Sequence, residues 1–472
     1  VTFERRTSSA PGALAIRTPE LDNLAPIDAV NRLGDLPGLV LLESARSGRN
    51  ARWSYLSADP IAVIDRPAEG GDVFRSARRA LGRLCSSRFE DDDLPPFGGG
   101  LLGYLAYDLG RRLEAMPSTA KVDQDLPLLR VALHDWVVAW DRRLARAWLL
   151  GRAVDDRIDR LEAHLAAVRA RLAEPPRTSI DGAGERSLEL RSGLDRRAYE
   201  AGVEAVRAEI AQGSIYQANL SRRLEAPFRG DPWPLYRRLR TGDPARFSAF
   251  VDLGPSPTTG APRALLSASP EPFLSLTAAG LVTADPIKGT RPRGRDREEE
   301  RRLACELLTS EKDRAENVMI VDVLRNDLGR VCQPGSVRVP RLCRLERTAV
   351  VQHLVSTVTG TLAAGRDAFD LLAAAFPGGS ITGAPKIRAM HVIESLEPVR
   401  RGPYSGAAGW IGADGAMQTS ILIRTFVADG SRLSLHVGGG ITWRSDPAAE
   451  WQETIDKARG PLSAIGAREL PA

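Results

Sequence analysis

The chain has 472 residues, 43% of them hydrophobic, which is enough to bury the core of two or three structural units. Its formal net charge is +5, but the basic residues lie among acids, as in Arg295-Asp296-Arg297-Glu298-Glu299-Glu300-Arg301-Arg302, and no basic stripe is present to track a nucleic-acid backbone. Residues Val1 to Glu20 lack the apolar core of a signal peptide, no apolar run reaches membrane-spanning length, and Cys85, Cys305, Cys332 and Cys343 form no CxxC pair, so a soluble cytoplasmic protein with free thiols and no zinc site is expected.

In chain order, Leu161, Leu165, Val168 and Leu172 mark the apolar stripe of a helix. The polar, Pro/Gly-bearing stretch Glu174 to Gly184 then interrupts the pattern. It divides the chain into an N-terminal region (1–173), a linker (174–190) and a C-terminal region (191–467). A second helix starts at Asp195 as N-cap, places Tyr199, Val203, Val206 and Ile210 on one face, and stops at Gly213. Apolar runs at Ala264 to Ser269, Phe273 to Leu276, Val350 to Thr359, Ala407 to Ile411, Ile421 to Val427 and Leu433 to Val437 read as strands. They cluster instead of alternating strictly with helices, which predicts an α+β fold of layered antiparallel sheets flanked by helices.

Lys288 stands in Pro286-Ile287-Lys288-Gly289-Thr290-Arg291-Pro292. Only five of the 65 basic residues are lysines, Lys121, Lys288, Lys312, Lys386 and Lys457. An amine can lose its proton and act as a nucleophile, whereas a guanidinium cannot. Farther along, Asp313 and Glu316 share one helix face. The segment Phe376-Pro377-Gly378-Gly379-Ser380-Ile381-Thr382-Gly383-Ala384-Pro385-Lys386 offers glycines ahead of a helix with proline in its first turn, a place where backbone N–H groups can receive an anion. Arg424 interrupts the apolar run Ile421 to Val427 and is suited to carboxylate binding. Gly438-Gly439-Gly440 allows a close approach of backbone to ligand. Asp446 and Pro447 open a last helix, on which Glu450, Glu453 and Lys457 share a face. Magnesium is typically held by one or two carboxylates, and two helices converging on one point would suit it, although surface helices carry such pairs routinely.

Taken together and in this order, these motifs resemble the chorismate-utilising enzymes, the family of the anthranilate, aminodeoxychorismate, isochorismate and salicylate synthases. The resemblance runs from about Arg191 to Gly460. It includes Ile215-Tyr216-Gln217-Ala218-Asn219-Leu220-Ser221, Ser269-Pro270-Glu271, Val351-Gln352-His353-Leu354 and Gly402-Pro403-Tyr404-Ser405-Gly406. N-terminal segments such as Leu41-Leu42-Glu43-Ser44 and Gly99 to Gly110 are similar to that family's partner region. Lysine at position 288, where other branches carry alanine, is the mark of the aminodeoxychorismate-forming branch. Pro272 departs from the arginine usual after Ser-Pro-Glu.

The resemblance implies the chorismate-utilising fold and a reaction of chorismate with ammonia to 4-amino-4-deoxychorismate, on the way to 4-aminobenzoate and folate. Anthranilate synthase component I is the alternative, and a non-catalytic chorismate or anion binder is the rival of another class. The resemblance also implies Lys288 as nucleophile and Glu271 as general acid. Such chemistry would require the amine neutral and the carboxyl protonated. Magnesium (Mg2+) would be held by Glu316 and Glu453, supported by Asp313 and Glu450. Tyr404, Arg424 and the Gly438, Gly439 and Gly440 backbone would bind the enolpyruvyl carboxylate, with His353, Thr382, Lys386 and Lys457 positioning substrate or the departing hydroxyl. No glutaminase-like stretch with a catalytic Cys and His is evident, so ammonia is expected from a separate glutaminase subunit and a separate lyase is expected to complete 4-aminobenzoate. The region of Glu43 and Ser44 resembles the pocket that binds tryptophan in relatives, and whether it regulates, binds structurally or does neither stays open.

Overall fold

The computed structural model describes residues 5–7, 12–17, 19–46, 51–89, 93–175, 188–348 and 351–470. Residues 176–187 of the linker, and Val350 at the start of one predicted strand, lie outside that set. The described residues build four layers: helices, a sheet, a second sheet, and helices again. The two-residue alternation of each strand shows why. Along adjoining strands Leu41, Leu56, Val138, Leu149 and Leu266 enter the cluster under the outer helices, which Leu161, Leu165, Leu235 and Leu462 complete. Their neighbours Val40, Tyr55, Val137, Leu150 and Leu265 enter another cluster between the sheets, where they meet Leu102, Tyr104, Ala408 and Trp410. Leu101, Leu105, Ala407 and Ile411 face the helices on the far side, packing with Ile320, Leu324, Phe369 and Leu372. Both faces of most strands are buried, which is why the sequence reads as continuous apolar runs.

Among the described residues the first sheet has 14 strands. Its N-terminal part ends at Val40–Glu43, which pairs with Phe247–Pro255; Pro262–Ser269, Thr425–Asp429, Arg432–Ile441 and Gln217–Pro227 follow in order. The second sheet has 10 strands and runs from Ile287–Pro292 through Val351–Thr361, Leu281–Ala284, Pro272–Leu276, Met417–Ile421 and Ala407–Gly412 to Gly100–Leu105, Leu129–His134 and Ala62–Ile64. Pairing between these strands is antiparallel, apart from the parallel pair Glu189–Ser192 and Arg468–Glu469. Residues 1–173 and 191–467 therefore contribute strands to both sheets, and each sheet is continuous across the two regions.

Two adjacent segments cross from one sheet to the other. Pro270 and Glu271 join Pro262–Ser269 of the first sheet to Pro272–Leu276 of the second. Leu422, Ile423 and Arg424 join Met417–Ile421 of the second sheet to Thr425–Asp429 of the first. The crossings are tied together: Ser269 Oγ donates to the Ile421 carbonyl at 2.5 Å, the Ile421 N–H to the Glu271 carbonyl at 3.1 Å, and the Ala268 N–H to the Arg424 carbonyl at 3.0 Å. The expected single strand Ile421 to Val427 is thus two strands in different sheets. Arg424 is the one charged break in that apolar run, and it marks the crossing between the two strands.

The predicted helix starts hold. Asp195 accepts from the Ala198 N–H and Asp446 from the Ala449 N–H, and Pro447 stands in the first turn. None of Cys85, Cys305, Cys332 and Cys343 takes part in a disulfide. Among the described residues no helix is long and apolar enough to cross a membrane.

Candidate active site

The candidate residues gather where the crossings open the space between the sheets. Lys288 lies on the strand Ile287–Pro292, whose pairing with Val351–Thr361 shifts register between Lys288 and Thr290. A bulge of this kind re-aims a side chain. Gly289, with φ of 76°, makes it possible, and a Cβ there would fall 2.9 Å from the Asp313 Cβ. The glycine therefore both turns the strand and lets the helix Glu311–Gly329 come close.

Ser380 connects the amine to the acid. Lys288 Nζ donates to the Ser380 carbonyl at 3.3 Å, and Ser380 Oγ donates to Glu271 Oε1 at 2.6 Å. Burial raises the Glu271 carboxyl above its ordinary range, and it does so against the Ser380 hydrogen bond and the charges of Lys288 and Lys457. A carboxyl shifted in this sense keeps its proton longer as pH rises, as a general acid must.

The acid pairs converge on the same end of the space. Burial, then the neighbouring carboxylates Asp313 and Glu453, push Glu316 up against the opposing charges of Lys288 and Lys312. Glu450 is raised mainly by burial, and Ser445 Oγ donates to its Oε1 at 2.6 Å. Burial also acts upward on Glu453, but Lys457, 2.6 Å away, together with Lys312 and Lys288 holds it below its ordinary range. Asp313 pairs with Arg291 at 3.3 Å. A Cβ on Gly439 would stand 2.8 Å from Glu450 Oε2 and 3.6 Å from Glu453 Oε1, so that glycine makes room for both acids. Among the described residues Glu450 Oε2 is buried without a hydrogen-bond partner, and no three His, Cys, Asp or Glu residues stand close enough to hold a metal ion between them. Two carboxyls raised by burial and by the neighbouring Glu453, together with an unpaired buried carboxylate oxygen, fit a hard cation, and magnesium needs only one or two protein carboxylates.

The remaining site residues divide. Tyr404 is buried and stacks on His436 with ring centres 5.0 Å apart. Burial, opposed by the charge of Arg401, pushes the Tyr404 phenol up to about 12. Gly438 lies opposite Ser221 and Gly440 opposite Asn219 in the strand pair. Lys457 Nζ donates to the Gly438 carbonyl at 2.8 Å, and Thr382 Oγ1 to the Gly378 carbonyl at 2.9 Å. His353 shares a 2.9 Å hydrogen bond with Thr290, and burial, reinforced by Arg246, Arg424 and Arg46, lowers its imidazole to about 4. His353 is therefore neutral at physiological pH.

Arg424 does not lie inside a strand. It occupies the crossing, in a left-handed conformation with φ of 50°, and its side chain is 46% exposed and 3.5 Å from Asp243. Its pairing thus comes from the turn after the helix Trp233–Gly242 and owes nothing to a buried strand environment. The Gly-rich segment also differs from expectation. Pro385 is the N-cap of the helix Lys386–Leu396, which starts at the wall of a cavity of about 940 Å³ whose lining includes Asp327 and Lys386 but not Lys288, Glu271 or Ser380. Lys386 Nζ donates to Asp327 at 2.6 Å and to the Ala375 carbonyl at 2.8 Å, so it braces that wall.

Glu43 is held by Arg240 at 2.6 Å and accepts from the Tyr236 hydroxyl at 2.8 Å. With Ser44, Trp53, Tyr55 and Trp410 it lines a small cavity of about 80 Å³ between the sheets. The linking role of Ser380 and the arginines Arg46 and Arg246 beside His353 were not singled out from sequence. Only the run Gly379-Ser380-Ile381-Thr382, already conspicuous, could have drawn attention to the serine.

A family model described as chorismate binding enzyme matches residues 40–463. Aminodeoxychorismate synthase component 1 of Klebsiella aerogenes is 44% identical over 442 residues, 90% of this chain and 93% of the relative. Anthranilate synthase component 1 of Streptomyces coelicolor is 39% identical over 465 residues, 96% of this chain and 88% of the relative. In three dimensions, the crystal structure of anthranilate synthase component I from Streptococcus pneumoniae TIGR4 superposes with a TM-score of 0.77 at 30% identity, covering 88% of this chain and 93% of that one.

Proposed function

Since the chain belongs to the chorismate binding enzyme family, we propose that it aminates chorismate with ammonia to 4-amino-4-deoxychorismate through a covalent adduct on Lys288. The observation that carries this reading is the placement of an amine and a proton-retaining acid on either side of Ser380. Lys288 Nζ, as the free amine, bonds to ring carbon C2 while the double bond shifts and the C4 hydroxyl leaves as water with the proton of Glu271. Ammonia then bonds to C4, the double bond shifts back, the Lys288 amine departs, and the proton released by the new C4 amine returns to Glu271.

Tyr404, Arg424 and the Gly438–Gly440 backbone bind the enolpyruvyl carboxylate, with His353, Thr382 and Lys457 orienting the ring. Magnesium, when bound, supplies positive charge to the ring carboxylate; Glu316 and Glu453 would hold it, with Asp313 and Glu450 alongside. The "component 1" in the relatives' names implies a second component, which we assign as a glutaminase delivering ammonia. The cavity at Glu43 and Ser44 is the place to probe for tryptophan by calorimetric titration. The second reading, anthranilate synthase component I, is favoured by relatives of that name at 39% identity.

One incubation with chorismate, Mg2+ and ammonium separates the readings. A product that retains the enolpyruvyl group and gains nitrogen in place of the C4 oxygen supports the proposal. Fluorescent anthranilate with release of pyruvate overturns it in favour of the second reading, and unconsumed chorismate overturns both.

A further inference from the structure

Three guanidiniums from remote parts of the chain meet beside His353. Arg46 follows the strand Val40–Glu43, and its N–H donates to the Ala245 carbonyl at 3.2 Å, which brings its backbone up to Arg246. Arg246 immediately precedes Phe247, whose register partner is Ser269, two residues before Glu271. Arg424 arrives on the other crossing and stands 3.5 Å from Asp243, in the turn that also carries Arg246. The charges of Arg246, Arg424 and Arg46 all act on the His353 imidazole, and His353 is the register partner of Thr290, two residues from Lys288.

Positive charges drawn together repel one another unless anions compensate them. The protein's own acids do so only in part. Asp243 serves Arg424, and Glu346 stands 3.9 Å from Arg246, at the outer limit of an ion pair. Among the described residues Arg46 has no carboxylate partner; its guanidinium donates to the Thr348 hydroxyl at 3.4 Å. Arg46 is nevertheless half-buried, and burial, then the charges of Arg246 and Arg424, hold it below its ordinary range against the smaller pull of Asp243. A guanidinium presents five N–H donors in a fork that matches a carboxylate, and most of those of Arg46 are left over.

We infer that Arg46 and Arg246 form an outer anion site, beyond Arg424, that draws in and holds a dicarboxylate substrate; the inference rests on chorismate being the substrate, as proposed above. The net charge of +5 gives the molecule as a whole only a weak field, so the attraction comes from this local cluster. Neither arginine touches the reacting atoms. Their charges act on the substrate alike before and during the chemistry, so they set how readily it binds and not how fast it reacts. Glu346 and Asp243 keep the cluster tolerable while the site is empty, and neither occupies the donors of Arg46.

The test measures chorismate consumption, whatever the product, in a variant carrying Arg46→Gln and Arg246→Gln together. At low salt its KM for chorismate rises about 10-fold while kcat per folded molecule stays within about 2-fold, the pattern of lost uniform binding. Raising NaCl from about 20 to about 300 mM lowers kcat/KM of the parent several-fold and that of the variant much less, because salt screens a field the variant no longer has. A control with Arg160→Gln and Arg169→Gln removes the same charge from the outer helix Ile158–Ala173 and keeps the parental KM and salt dependence. A variant with Arg46→Lys and Arg246→Lys retains both charges, holds KM within about 3-fold of the parent, and carries the test should the glutamine variant not fold. An unchanged KM in the glutamine variant, a kcat that falls in step with kcat/KM, an equal effect in the outer-helix control, or a lysine variant that has lost the salt dependence overturns the outer site. Failure of the chorismate reading shows separately, in the parent protein, as chorismate that is not consumed.

Discussion

The space between the two sheets is filled differently at its two ends. Toward the N-terminal strands it holds Tyr55, Phe97, Trp148 and Trp410, with Phe97 and Trp410 ring centres 5.0 Å apart. Toward the crossings at Glu271 and Arg424 it holds Lys288, Glu271, Ser380 and Tyr404. The frame is common to both ends: antiparallel strands, helices outside, alternation of faces along each strand. What changes is whether the inward positions carry mainly apolar rings or mainly hydrogen-bonding and ionisable groups. One end contributes dispersion and area burial, and the other holds desolvated polar groups that the rest of the fold must support.

That division can be broken in order of expected effect. Lys288→Ala should lower amination by about 10⁴-fold or more, and Lys288→Arg should fail similarly, while calorimetry still detects chorismate binding. Amination near the parental rate in Lys288→Ala would remove the covalent step. At the other end, Phe97→Ala should cost about 3–5 kcal/mol of unfolding free energy in urea and leave kcat of the folded fraction close to parental. A large loss of kcat there would mean that the two ends are not separable.

Glu271→Gln should reduce kcat by about 100-fold, the worth of one general acid. This variant also reports on pH. Because burial raises the folded Glu271 carboxyl, the folded state binds that proton more tightly than the unfolded chain does. The resulting stabilisation is complete below the ordinary carboxyl range and is lost as pH rises through the raised folded value. Parental activity should fall over the same rise, and the melting temperature of Glu271→Gln relative to the parent should be higher at pH 8 than at pH 4. A difference of the opposite sign would show that the carboxyl is not disfavoured in its charged form. The smallest effect is expected for Glu453→Gln, about a 10-fold increase in the Mg2+ needed for half-maximal rate. An unchanged titration would take Glu453 off the ligand set.

The layering and the helix starts were legible because they are local. Asp446 with Pro447, or Tyr199 with Val203 and Val206, follow from spacing and capping alone. Lys288 stood out through the scarcity of lysine. Pairings between remote segments were not legible, because nothing in Val40–Glu43 names Phe247–Pro255 as its neighbour. Arg424 was misplaced for a related reason: the apolar residues around it are buried in two different sheets, which looks in sequence like one strand. Lys386 belonged to a long Gly-rich motif, but its direction depends on the helix start at Pro385 and on Asp327, set nearly sixty residues earlier in the chain.

The joining of both sheets across the two regions also bears on how the protein is made. A chain emerging N-terminus first presents Val40–Glu43 and Gly100–Leu105 with hydrogen-bonding edges whose partners, Phe247–Pro255 and Ala407–Gly412, do not yet exist. Those edges are bare, apolar and competent to pair with another chain until their partner strands have been made. The period of greatest exposure to aggregation therefore falls between translation of the first sheet segments and the arrival of Ala407–Gly412, and the candidate active site, which needs Gly438 to Gly440 and Glu453 as well, is completed later still.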